Sequence, residues 1–239
     1  MVLPLLRPDP QPYYDLSAYE DVTGREGGPL SELSSHDRIL QAGRALFAGD
    51  GYENTTTSAI ARRAGTSESQ LIKHFGSKEG LLEAIFDDAW QRMAAGIHGV
   101  QDGASPPLQK LQSLTDLLMG ALEQDRELQT LMLLEGRRIR KHGHLVLLTR
   151  GYLQMLSAVD GVLRQMAETG QLRSDLHPEA VRSALVGAFE GMLRDRLLAE
   201  RGSFPAHYDG AEMRLAFRAL MEGFLARPPA AAGAGGEGS

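Results

Sequence analysis

The sequence predicts an all-α protein, with a three-helix helix-turn-helix unit near the N-terminus and a larger helical body after it. Apolar residues recur at three- and four-residue spacing along most of the chain, and no stretch alternates convincingly as a half-buried strand does. Helix punctuation is dense, with Ser, Thr or Pro before the periodic runs and Gly after several of them. Between Ile39 and Trp90 three short runs are joined by turns tight enough for a helix-turn-helix, and a fourth run leads out of the unit.

In the first run Ile39, Ala42, Gly43, Leu46 and Phe47 share one helical face, with Ser34 or Ser35 as cap and Gly49 and Gly51 as stops. Thr56 caps a second, short helix whose Ile60, Ala61 and Ala64 face inward, and Gly65 allows the sharp reversal after it. Thr66 or Ser67 starts a third helix ending at Phe75. Leu71 and Phe75 pin it to the other two, and Glu68, Ser69, Gln70 and Lys73 point outward. Ser77 caps a fourth helix, with Leu82, Ile85, Phe86, Ala89 and Met93 on its inner face, running toward Gly99. Pro106 and Pro107 open a leucine-rich fifth helix. A sixth is expected from Leu128 to Lys141 and a seventh from about His144 to Thr169, where Gly170 ends it. Two last helices, about 178 to 200 and 209 to 226, flank a loop with Gly202 and Pro205.

With 239 residues, 42% of them apolar, the chain has material for a real core, and its lack of cysteine excludes disulfides, thiolate metal sites and cysteine nucleophiles. No apolar run approaches the roughly 18 to 20 residues of a membrane span, so a soluble cytoplasmic protein without membrane partners is expected. The net charge of −6 is unevenly spread. Residues 1–34 set two arginines against six acids, whereas residues 35–80 carry six basic and five acidic side chains and form the only net-positive segment. Arg44, Arg62, Arg63, Lys73 and Lys78 are its candidates to face phosphates. Residues 1–33, rich in Pro, Gly and acids, read as a disordered arm, and 228–239 as a flexible tail. Between them lie the reading unit, 34–80, and the body, 81–227.

The segment resembles the tetracycline-repressor (TetR/AcrR) family of bacterial transcriptional regulators. The resemblance is carried by Leu46-Phe47, Gly51-Tyr52 before Thr55-Thr56-Thr57, Ile60-Ala61 with Ala64-Gly65, and Leu71 through His74-Phe75 to Ser77-Lys78 and Leu81-Leu82. It departs from the family's pattern at Ile72, where an aromatic ring usually helps to grip the DNA backbone, and at Thr66, where valine or isoleucine is usual. His177 stands where aspartate often precedes the proline.

The resemblance implies a homodimer that reads a palindromic operator in double-stranded DNA, most often as a repressor, and responds to a small effector. Ser58, Glu68, Ser69 and Gln70 are then candidates for base edges, and Thr57, Lys73, His74 and Lys78 for phosphates. Alternative readings stand beside these: Thr57 as a cap, His74 as packing, and Glu68 as a repulsive guard against wrong sites. The last two helices of the family form the dimer interface, which places Gly187, Gly191, Met192, Leu220 and Phe224 there; internal packing is the alternative. Phe86, Trp90, Met93, Met119, Met132, Tyr152, Met155 and Phe189 are the expected effector-pocket walls, or else core, and their low charge points to an apolar or aromatic effector.

Other signals carry less. The glycine pattern Gly233, Gly235, Gly238 lacks the strand and helix that a dinucleotide site needs, and no cofactor is expected. Arg137 to Lys141 reads as a solvated helix end, and His142 and His144 as loop residues without metal-ligand spacing. No convergent polar constellation argues for a helical enzyme. A helix-turn-helix regulator controlled by a protein partner is the stronger rival.

Overall fold

The computed structural model describes residues 33–136, 148–202 and 204–226, which from Ser34 onward form one compact unit. Its local punctuation follows from side chains that act within one helical turn. Helix α1 (Ser35–Asp50) begins where the Ser34 hydroxyl accepts from the Asp37 N–H. Helices α2 (Thr57–Arg63), α3 (Glu68–Phe75) and α4 (Lys78–Asp102) are capped in the same way by Thr56, Ser67 and Ser77. Gly65 takes φ +63°, a left-handed conformation that glycine adopts without a Cβ penalty, and so turns the chain between α2 and α3.

Ile39 of α1, Ile60 of α2 and Leu71 of α3 are fully buried, and so are Leu81 and Leu82 at the start of α4. Each such side chain contributes about 1.5–3 kcal/mol by leaving water. The helices approach closely because Gly43 has no side chain: a Cβ there would lie 2.6 Å from Leu81 Cδ2. Helix α4 therefore belongs to the core of the reading unit at one end and to the body at the other, so no break in packing falls at residue 80.

The body adds α5 (Pro107–Gln124), α6 (Arg126–Leu134), α7 (Arg150–Glu168), α8 (Pro178–Arg201) and α9 (Gly210–Gly223). α4 packs against both α5 and α7, α7 against α8, and α8 against α9, while α6 reaches back to α1. Three expected bounds change. Helix α6 ends at Leu134 instead of continuing to Lys141, because the chain turns at Glu135–Gly136, where the Gly136 N–H closes on the Leu131 carbonyl. Helix α7 begins at Arg150, not His144, since the Thr149 hydroxyl caps it by accepting from the Tyr152 N–H. The basic run from Arg137 to Lys141, with His142 and His144, lies outside the described residues, as do the N-terminal arm up to residue 32 and the tail from 227.

His177 precedes Pro178 without a side-chain cap bond. Helix α9 also stops short of the expected 226: after Gly223 the chain pairs with the α7–α8 loop, Arg173 N–H donating to Phe224 O and Ala226 N–H to Gln171 O. Among the described residues no helix is long and apolar enough to cross a membrane.

Candidate DNA-contact surface and ligand cavity

Burial of Leu71 fixes the roll of α3 and turns Ser69, Gln70 and Lys73 toward solvent, with Ser58 exposed on neighbouring α2. Among the described residues none of these four side chains makes a hydrogen bond or ion pair, so their polar ends are available to a ligand. Ile72 stands beside them, 48% exposed.

The other four candidates are engaged by the protein. Thr57 Oγ1 donates to Glu68 Oε2 at 2.6 Å, a bridge that holds the start of α2 against the start of α3. His74 Nε2 lies 2.9 Å from Ser35 Oγ and fastens α3 to α1. Burial, together with the charges of His36 and Lys73, holds the His74 imidazole below its usual pKa and so favours its neutral form. Lys78 Nζ donates to the carbonyls of Tyr52 and Thr55 at 2.9 and 3.0 Å and sits 4.2 Å from the Tyr52 ring centroid. Its ammonium clamps the loop between α1 and α2. Arg44 also points away from the reading surface: it pairs with Asp125 and, at 2.9 Å, with Glu127 at the start of α6.

The body contains an apolar cavity of about 60 Å³. Six of the expected wall residues line it: Trp90, Met93, Met132, Tyr152, Met155 and Phe189. Phe86 and Met119 do not. Both are almost fully buried in the core, on turns of α4 and α5 where neighbouring helices leave no space. The wall also includes residues that periodicity places in an ordinary core, among them Leu111, Leu118, Val159 and Phe217. Thr115 and Glu190 join them and interrupt otherwise apolar stripes.

On α8 a Cβ added at Gly187 or Gly191 meets nothing within 4 Å, so neither glycine serves a close approach within the chain. Met192, Leu220 and Phe224 are half-buried against the chain's own core and expose only part of their surface.

Residues 39–85 match the family model of bacterial regulatory proteins, tetR family. The HTH-type transcriptional repressor KstR2 of Mycolicibacterium smegmatis is 29% identical over 154 residues, which cover 64% of this chain and 75% of that protein. Among solved structures, the fatty acid degradation regulator FadR from Bacillus halodurans aligns with a TM-score of 0.69 at 22% identity, over 83% of this chain and 97% of that one. The transcriptional regulator FadR from Bacillus subtilis in complex with stearoyl-CoA aligns with a TM-score of 0.65 at 19% identity, over 78% and 97% of the two chains. At these identities the structural matches speak for the fold.

Proposed function

We propose that this chain, whose residues 39–85 match the family model of bacterial regulatory proteins, tetR family, is a transcriptional repressor of that family and not an enzyme. It binds a two-fold symmetric operator as a homodimer and is released when a small apolar or aromatic molecule fills the cavity. Residues 34–80 read DNA, and residues 81–227 hold the effector and the dimer contact. The observation that carries this reading is the continuity of α4. Its first turns, with Leu81 and Leu82, are locked into the core of the reading unit, and later turns place Trp90 and Met93 in the cavity wall. A ligand that moves the wall therefore moves the reader, and the spacing of two recognition helices no longer matches two half-sites. The Arg44 bridge from α1 to the start of α6 is a second connection between the same parts.

The Bacillus subtilis neighbour is in complex with stearoyl-CoA, whose acyl chain is apolar, so that compound is the first to titrate. Effector and operator should weaken each other by the same factor, about 5- to 150-fold for an ordinary coupling. A compound that fills the cavity and binds equally well with and without operator would sink the coupling.

Two substitutions test the DNA surface. Gln70, exposed on α3, has the amide geometry to pair with adenine through two hydrogen bonds, so Gln70→Ala should relax preference at one symmetric pair of operator positions. The expected loss is about 1–3 kcal/mol for each such pairing. Selection from a random library with undiminished stringency would refute that assignment. Lys73→Ala should lower the slope of log affinity against log salt by about 0.9 for every phosphate that the lysine no longer neutralises. Lys78→Ala should leave the slope nearly unchanged and lower thermal stability, because its ammonium clamps a loop. The opposite pattern would make Lys78 the residue that meets the phosphate.

A further inference from the structure

The starts of α2 and α3 meet on the surface of the reading unit, and a carboxylate is tethered between them. Glu68 is the first residue of α3, exposed and followed by exposed Ser69 and Gln70. Thr57, the first residue of α2, donates its hydroxyl hydrogen to Glu68 Oε2 at 2.6 Å, the length of a charge-assisted bond. A glutamate side chain left to itself loses rotamer freedom when it meets a partner. This one is already held by the threonine before DNA arrives.

An ionised carboxylate has two oxygens, can only accept hydrogen bonds, and has room for several more beyond the one from Thr57. In the major groove guanine presents two acceptors, adenine an acceptor beside its donor, and thymine an acceptor and a methyl group. Cytosine alone offers a donor, its N4 amino group, with no acceptor beside it on the same base. A carboxylate at the start of a recognition helix is repelled by phosphates at every sequence, and only a base that donates to it offsets that repulsion.

Resting on the reading of α3 as the recognition helix, we propose that Glu68 accepts the N4 amino hydrogen of a cytosine and so requires that base at one symmetric pair of operator positions. Thr57 is the positioning residue that aims the carboxylate at it.

Duplex DNA selected from a random library by the wild type tests this. The selected operator should carry cytosine at a symmetric pair of positions where Glu68→Ala no longer discriminates. That variant should bind the operator about tenfold or more weakly, as loss of a hydrogen bond to a charged group allows. N4-methylcytosine at those positions still pairs with guanine but has a methyl group in place of the major-groove hydrogen, and it should weaken wild-type binding to a similar extent. Thr57→Val should relax the same preference by about threefold, and should leave it unaltered in the Glu68→Ala background, while Thr57→Ser retains it. If Glu68→Ala instead binds every sequence more tightly with unchanged preferences, the carboxylate is a repulsive guard and the proposal is overturned. A Thr57→Val protein that melts earlier yet selects cytosine as stringently would reduce Thr57 to a clamp between helices and overturn its positioning role. Should Thr57→Val not fold, Thr57→Ala takes its place. A wild type that selects no sequence at all would remove the DNA reading itself, and the proposal with it.

Discussion

Replacing Gly187 with leucine is expected to leave a folded chain that no longer dimerises and no longer holds its operator tightly. Within the chain a Cβ at this position meets nothing within 4 Å, so the new side chain strains no intramolecular packing. It also removes a glycine from a helix interior, which favours α8 by a few tenths of a kcal/mol up to about 1 kcal/mol. Across a two-fold interface built on this face the same leucine is inserted twice. Overpacking costs about 1–3 kcal/mol per insertion, which raises the dimer dissociation constant roughly 30-fold or more. A monomer meets one half-site at a time, so operator affinity falls with dimerisation. Sedimentation, thermal melting and operator titration measure the three effects separately. An unaltered dimer would place the interface elsewhere, and a variant that melts early as a monomer would mean that Gly187 serves the chain's own packing.

Phe86→Ala is expected to cost about 3–5 kcal/mol of stability, a large part of what an ordinary domain possesses. Phe86 is fully buried and packed on all sides, and it lies outside the cavity wall. Its removal leaves a hole that the surrounding helices close only in part. The denaturation midpoint should fall sharply with little change in slope, and stabilising conditions should restore ligand binding to near the wild-type value. A midpoint close to that of the wild type, accompanied by altered ligand affinity, would return Phe86 to the cavity wall.

Phe86 and Trp90 illustrate the limit of periodic reasoning. They stand four residues apart on α4 and share one apolar stripe, yet one is core and the other faces empty space. Nothing in the local spacing separates them, because the difference is made by where α5, α7 and α8 leave a gap. The same limit applies to the charges. Arg44 and Lys78 are plausible phosphate ligands on composition alone. The structure pairs Arg44 with an aspartate 81 positions away and folds Lys78 back over a loop 23 and 26 positions earlier.

The sequence by itself determined whatever depends on one helical turn. The caps at Thr56 and Ser77, the reversal at Gly65 and the inward faces of α1 to α3 follow from hydrogen bonds and side-chain spacing that reach no farther than four residues. Together they made the three-helix reading unit legible. The tertiary structure decided which outward polar groups stay available, which aromatic residues border a cavity, and that Gly187 and Gly191 face open space. These are properties of the space between helices. That space is set by the mutual packing of residues far apart in the chain, and no local pattern records it.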